Sequence, residues 1–289
     1  MKLALGTVQF GLTYGVANQR GQVSVDETRA ILRHAQSTGI DTLDTAIAYG
    51  DSEQRLGEIG VVGWHVVSKL PATPDACRDV SRWVATSVRE SLERLRVTNL
   101  YGLLLHRPDQ LLARDGERLY SALRQLREEG VVEKIGVSIY APSELDALCG
   151  AYQFDLVQAP FNLLDRRLID TGWLSRLAAR HTEVHVRSVF LQGLLLMPEG
   201  SRPPAFGRWA PLWTAFDVWL DQARLTPVQA CLRDALSFPE ISKVIIGVDS
   251  LPHLKDILQT ADGPAPQIPD TFRTTDPDLL NPARWTVSA

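Results

Sequence analysis

The chain has 289 residues, 45% of them hydrophobic, which is enough for one large core or two small ones. Its net charge of −4 gives no electrostatic argument for nucleic acid or an anionic membrane as partner. Three scattered cysteines (Cys77, Cys149, Cys231) lack metal-ligand spacing and suit a reducing compartment, so no metal site is expected. With no leader-like or membrane-length apolar run in the sequence, a cytoplasmic location is expected.

One unit repeats along the chain: a short apolar strand, a polar loop, an amphipathic helix. Strand 3–6 is followed by helix 26–38, strand 40–45 by helix 51–60, and strand 65–70 by helix 76–95. Strand 100–106 precedes helix 114–129, strand 134–139 precedes helix 142–150, and strand 154–159 precedes helix 168–180. Strand 183–189 leads through a long Pro-, Gly- and Arg-rich loop at 196–212 to helix 226–237, and strand 243–248 to helix 251–260. Acidic residues in the first turn at Asp26 and Glu27 suit the helix dipole, and Pro227 suits a first helical position. Eight such units predict an α/β fold, a (β/α)8 TIM barrel. The rival, an open doubly wound sheet, wants GxGxxG after its first strand, and GTVQFG at 6–11 does not fit. Residues 1–262 are read as one barrel domain. Residues 263–289 are read as a tail that lines the substrate loops or covers an end of the barrel.

In a parallel barrel, residues at the C-terminal ends of strands face the active-site mouth. Asp44, Tyr49, Lys69 and His106 fall at or just beyond three successive strand ends. Each has a plainer reading: a helix cap, loop packing, a buried histidine. Lys69 resists one, because an ammonium ending an apolar strand needs a partner, and Asp44 is the neighbouring carboxylate. An ammonium beside a phenol is expected to lower its pKa, so Tyr49 can act as acid with His106 orienting a carbonyl oxygen. No side chain donates hydride, so a nicotinamide cofactor is implied.

These residues lie in segments that resemble the aldo-keto reductase family: GTVQFG at 6–11, DTAIAYGDSE at 44–53, VVSKL at 66–70 and LLLHRPD at 103–109. The likeness continues in KIGVSIY at 134–140, VQAPFNLLDRR at 157–167 and FLQGLLL at 190–196. The resemblance implies a catalytic tetrad of Asp44, Tyr49, Lys69 and His106, with Tyr49 as general acid. It also implies an NADP(H)- or NAD(H)-dependent exchange of carbonyl and alcohol. Ser138 and Gln158 match positions that bond the nicotinamide carboxamide, while Ile139 stands where the family usually has Asn. Arg187 replaces an aromatic that stacks on the ring; it would stack there itself or bind an anionic substrate group. Ser188 and Gly193 match the loop over the pyrophosphate. After the last strand, Gly247 and Asp249 stand where NADP-dependent members carry a basic residue. Asp249 favours a ribose hydroxyl and hence NAD(H), or caps the helix that follows. The family base rate favours NADP(H), with Lys243, His253 or Lys255 as phosphate readers. The family's N-terminal hairpin plug is not expected before a first strand at Leu3.

The expected pocket walls are Tyr14, Arg107, the 196–212 loop and the tail, with Phe206, Trp209, Trp213 and Trp285 as apolar contacts. Arg187, Arg202 and Arg208 are candidate anion receptors. The expected partner is a small carbonyl or alcohol, weakly sugar-like; oligomeric state stays open, with a monomer sufficient. The alternatives are a cofactor-binding accessory protein of the same fold and an isomerase or epimerase with retained cofactor.

Overall fold

The computed structural model describes residues 1–285 apart from Gln19 and Glu199. The elements run β1 (Leu3–Gly6), α1 (Val8–Gly11), α2 (Val25–Ser37), β2 (Thr42–Asp44), α3 (Ser52–Ile59), β3 (His65–Leu70) and α4 (Val80–Leu95). They continue β4 (Leu100–Leu105), α5 (Gly116–Glu128), β5 (Val132–Ser138), α6 (Glu144–Ala151), β6 (Leu156–Pro160), α7 (Arg167–Asp170), α8 (Trp173–Ala179) and β7 (Glu183–Arg187). The last are α9 (Ala210–Ala223), α10 (Pro227–Leu236), β8 (Lys243–Gly247), α11 (Leu251–Thr260) and α12 (Pro277–Leu280). All neighbouring strands are parallel and β8 pairs with β1, so the sheet closes into the (β/α)8 barrel that the alternation implied.

Strands β1, β2 and β6 have no exposed residue. Helices cover one face and the barrel interior the other, so these runs are buried on both faces and mostly apolar rather than alternating, with Thr42, Asp44 and Gln158 as their polar members. Val67, Leu104 and Leu156 fill the middle of the lumen as a cluster separate from the helix–sheet core.

Helix starts follow side-chain caps. Ser24 accepts from the Glu27 amide to start α2, and Asp79 accepts from the Arg82 amide. The second cap explains why α4 begins at Val80 rather than at 76. The helix expected over 168–180 is two helices, broken at Gly172, whose φ of 74° leaves the helical region. Helix α9 was not read from the sequence, because Pro203, Pro204 and Gly207 mask its approach; it buries Trp213, Phe216 and Leu220.

The tail lies across the C-terminal face of the barrel, not its floor. Phe272 packs edge-on against Phe216 and Trp219, and Arg208 pairs with Asp276 and Asp278. Pro282 and Ala283 thereby reach the mouth. Positions 286–289 lie outside the described residues.

The floor is polar and built from the strands themselves. Tyr101 donates to Glu183 at 2.8 Å, His185 Nε2 meets Glu183 at 2.9 Å, and Lys134 bonds to both Tyr101 and Glu183. His65 stacks on Tyr101 with centroids 4.5 Å apart. Burial raises the Glu183 carboxyl, but hydrogen bonds and charge from His185 and Lys134 outweigh it and hold the group at about 2. A depressed carboxylate stabilises the fold fully above its unfolded value near 4.5 and loses that contribution as pH falls toward 2. Glu183→Gln is therefore expected to cost about 3 kcal/mol at pH 7 by stranding Lys134. Denaturant melts of the two proteins should converge as pH falls from 4.5 to 2.

Candidate active site

Strand register brings the functional side chains level. Gly6 pairs with Asp44 and with Gly247, Ser138 with Gln158, and Pro160 with Arg187. Tyr49 sits in the turn between β2 and α3, and that turn is pinned from below. Ser52 donates to the Thr7 carbonyl at 3.0 Å, and buried Glu53 accepts from Ser68, Ser91 and Arg94.

Lys69 is fully buried, with Nζ 2.7 Å from Asp44 Oδ2 and 2.9 Å from the Thr45 carbonyl. Burial pushes its pKa down and the Asp44 charge opposes that. The ammonium is 3.5 Å from the Tyr49 hydroxyl and 5.0 Å from its ring centroid. His106 stands edge-on to Tyr49 with centroids 6.0 Å apart. Burial first, then the Lys69 and Arg187 charges, lower the His106 imidazole to about 4, so it is neutral near pH 7.

The expectation that Lys69 lowers the Tyr49 pKa is not met in this state. Burial raises the phenol above its ordinary value, Asp44 adds to the rise, and the cation acting downward is Arg187. The ammonium lies closer to the Asp44 carboxylate, at 2.7 Å, than to the Tyr49 hydroxyl, at 3.5 Å.

Asp44, Tyr49 and His106 line a cavity of about 620 Å³. Its wall also includes Arg187, Ser188, Gly193, Gly247, Asp249 and His253. Ser138 and Gln158 are not on its wall. Both are fully buried: Ser138 donates to Gln158 Oε1, and Gln158 Nε2 donates to Asp44 Oδ1 at 2.6 Å. The surface above them is formed by Arg187 and Tyr140, with the guanidinium 5.0 Å from the Tyr140 centroid.

Asp249 does not cap the last barrel helix. Ser250 does, accepting from the His253 amide, and the Asp249 carboxylate pairs with His253 Nδ1 at 3.2 Å. Lys243 cannot read a cofactor phosphate: it opens β8 at the floor, bonded to Asp41 and the Met1 carbonyl. Lys255 is exposed on α11 and does not line the cavity, whereas His253 does.

Several expected walls belong elsewhere. Arg202 is engaged by Asp217, Arg208 by Asp276 and Asp278, and Arg107 by Asp109. Trp209 and Trp285 both pack against Phe206, and Trp213 donates to the Phe206 carbonyl. The apolar wall is instead Phe190, Leu196, Pro282 and Ala283, with Tyr14 present as expected.

The cavity suits a dinucleotide. Gln9 Oε1 is buried on its wall without a partner, a free acceptor for a hydroxyl or amide. A Cβ on Gly247 would come 2.5 Å from Gln9 Nε2, and one on Gly193, at φ 90°, 2.5 Å from Ala17 Cβ. Gln9 was missed in the sequence, although it lies within GTVQFG.

Residues 2–267 match the model of the aldo/keto reductase family, and the chain belongs to it. It is 27% identical to a D-threo-aldose 1-dehydrogenase from a Pseudomonas species, covering 85% of this chain and 86% of the relative. It is 26% identical to a putative voltage-gated potassium channel subunit beta from Schizosaccharomyces pombe, over 93% and 88% of the two chains. A solved putative aldo-keto reductase from Pseudomonas aeruginosa superposes with a TM-score of 0.66 at 25% identity, over 90% and 89%. Family membership makes the chain an oxidoreductase of the carbonyl–alcohol type, in a family that uses NAD(P)H.

The His106 ring protons, followed by NMR, are expected to titrate with a midpoint of about 4. A midpoint near the ordinary 6.5 would show that neither burial nor the neighbouring cations act on this ring.

Proposed function

We propose that Tyr49 is the proton donor and acceptor of a nicotinamide-dependent interconversion of a carbonyl compound and an alcohol. The observation that carries this reading is the convergence of Tyr49, neutral His106 and the Asp44–Lys69 pair, with Asp44, Tyr49 and His106 on the wall of one cavity. The cofactor, when bound, supplies or accepts the hydride. His106 donates a ring N–H to the carbonyl oxygen and turns it toward the Tyr49 hydroxyl. Tyr49 passes its proton as the oxygen becomes an alkoxide, a stronger base than the raised phenol. Lys69, 3.5 Å away, stabilises the phenolate left behind, and Asp44 with Gln158 holds the ammonium in place. Ser188 and Gly193 would carry the pyrophosphate.

Asp249 and Gln9 offer acceptors for ribose hydroxyls, which leans the reading to NAD(H) within an NAD(P)H family. The mixed wall of Tyr14, Asn18, Gln192 and Tyr140 favours a hydroxylated carbonyl substrate, and the aldose dehydrogenase relative supports the same class.

A second reading, a cofactor-binding accessory protein, is favoured by Ile139 in place of an amide and by the inward Ser138 and Gln158. The potassium channel beta relative points the same way. Tyr49→Phe separates the two. On the enzyme reading it lowers kcat at least about a thousandfold and leaves dinucleotide affinity within about twofold. Unchanged turnover in that variant removes Tyr49 from the chemistry. Absent turnover in the wild type, across hydroxyaldehydes and ketones and with tight cofactor binding, supports the accessory reading.

The pH profile is a further check. Reduction needs neutral Tyr49 and neutral His106, so its rate is expected to be flat from pH 5 to 8 and to fall as His106 protonates near 4. Alcohol oxidation needs the phenolate and should rise with pH throughout that range.

A further inference from the structure

Arg187 is a cation in the cavity wall with no carboxylate at salt-bridge distance among the described residues. Its anchors are uncharged: Nη2 donates to the Ile139 carbonyl at 2.8 Å, Nη1 to Ser188 Oγ at 3.3 Å, and the plane lies over Tyr140. Nearby negative charge is already committed, since Asp44 is shared between Lys69 and Gln158. The guanidinium's charge is felt at Tyr49, Lys69 and His106, so it acts on the reacting end of the cavity.

From this we infer that Arg187 makes the cofactor site select by redox state, holding the reduced nicotinamide and rejecting the oxidised one. The inference rests on the nicotinamide reading above. The hydride-bearing carbon must come within about 3.5 Å of a carbonyl whose oxygen lies between Tyr49 and His106. The rest of the dinucleotide has to run along the wall formed by Arg187, Ser188 and Gly193. A nicotinamide held for hydride transfer beside Tyr49 and His106 would therefore lie near the guanidinium on the same cavity wall. A reduced nicotinamide ring is uncharged and an oxidised one is a cation. A guanidinium stays protonated at every accessible pH, so the discrimination is permanent. Like charges several ångströms apart in a partly shielded site are expected to cost at least about tenfold in affinity. For a two-electron couple, tenfold corresponds to about 30 mV in the potential of the bound cofactor.

The electron count is the ordinary one. Two electrons and one proton leave the ring as hydride for the carbonyl carbon, Tyr49 supplies the second proton to oxygen, and the positive charge appears on the ring beside Arg187. The cation opposes that step but speeds release of the oxidised product. It also keeps the site loaded with reduced cofactor when the oxidised form is in excess. Occupancy, rather than equilibrium, then commits the protein to carbonyl reduction.

The test is a set of calorimetric titrations with NADH, NAD+, NADPH and NADP+ on wild type, Arg187→Gln and Arg187→Lys. The wild type should bind the reduced form of its preferred dinucleotide at least about tenfold more tightly than the oxidised form. Arg187→Gln should shrink that ratio at least about fivefold, through tighter binding of the oxidised form, while Arg187→Lys keeps it. Equal affinities in the wild type, a measurement that needs no variant, overturn the inference. So does a ratio that Arg187→Gln leaves unchanged. Binding of none of the four overturns the nicotinamide reading, and this inference with it.

Discussion

The ion pair between Lys69 and Asp44 is the constraint around which the mouth is arranged. A fully buried ammonium is tolerable only with a carboxylate and further acceptors in contact. Here they are Asp44 at 2.7 Å and the Thr45 carbonyl at 2.9 Å, both from the neighbouring strand end. Gln158 takes the second Asp44 oxygen and Ser138 holds Gln158, so the pair sits in a hydrogen-bonded chain that crosses the barrel interior. Tyr49 is set above this chain by a turn whose next residues, Ser52 and Glu53, are anchored to β1 and β3. Moving Asp44, Lys69 or Gln158 leaves a buried charge short of a partner, which makes the geometry stiff.

That chain uses groups that the sequence motif assigns to the cofactor. Ser138 and Gln158 face Asp44, and the cavity wall above them is the Arg187–Tyr140 pair. Asn in place of Ile139 would have offered an amide there. The apolar side chain packs inward and leaves only its carbonyl, which Arg187 takes. The cationic wall is thus a consequence of one apolar replacement beside one charged one.

Strand positions were legible because a strand buried on both faces must be mostly apolar, and the eight runs stand out between polar loops. That Asp44, Tyr49, Lys69 and His106 would lie together was legible because a charged or polar residue ending such a run is expensive without a partner. Helix α9 and the path of the tail were not, since proline, glycine and arginine in 196–212 read as loop and the tail has no periodicity. The free and engaged arginines look alike in the sequence. Only folding reveals that Arg202 and Arg208 meet Asp217, Asp276 and Asp278, while Arg187 meets none of them. Likewise, residue type alone does not decide between Asp249 and Ser250 as the cap of α11, since both side chains can accept from a helix amide, and it is Ser250 that does.

The layer of Val67, Leu104 and Leu156 across the barrel's waist separates two charged clusters, the floor built around Lys134 and Glu183 and the mouth around the Asp44–Lys69 pair with Arg187, unpaired among the described residues. The charges that perturb Tyr49, Lys69 and His106 all belong to the mouth, and those that perturb Glu183 all belong to the floor. The molecule is therefore electrically partitioned. The depressed carboxylate lies at one pole and the raised phenol with the lowered imidazole at the other. Substitutions that retune the mouth can accumulate without drawing on the floor's reserve of stability.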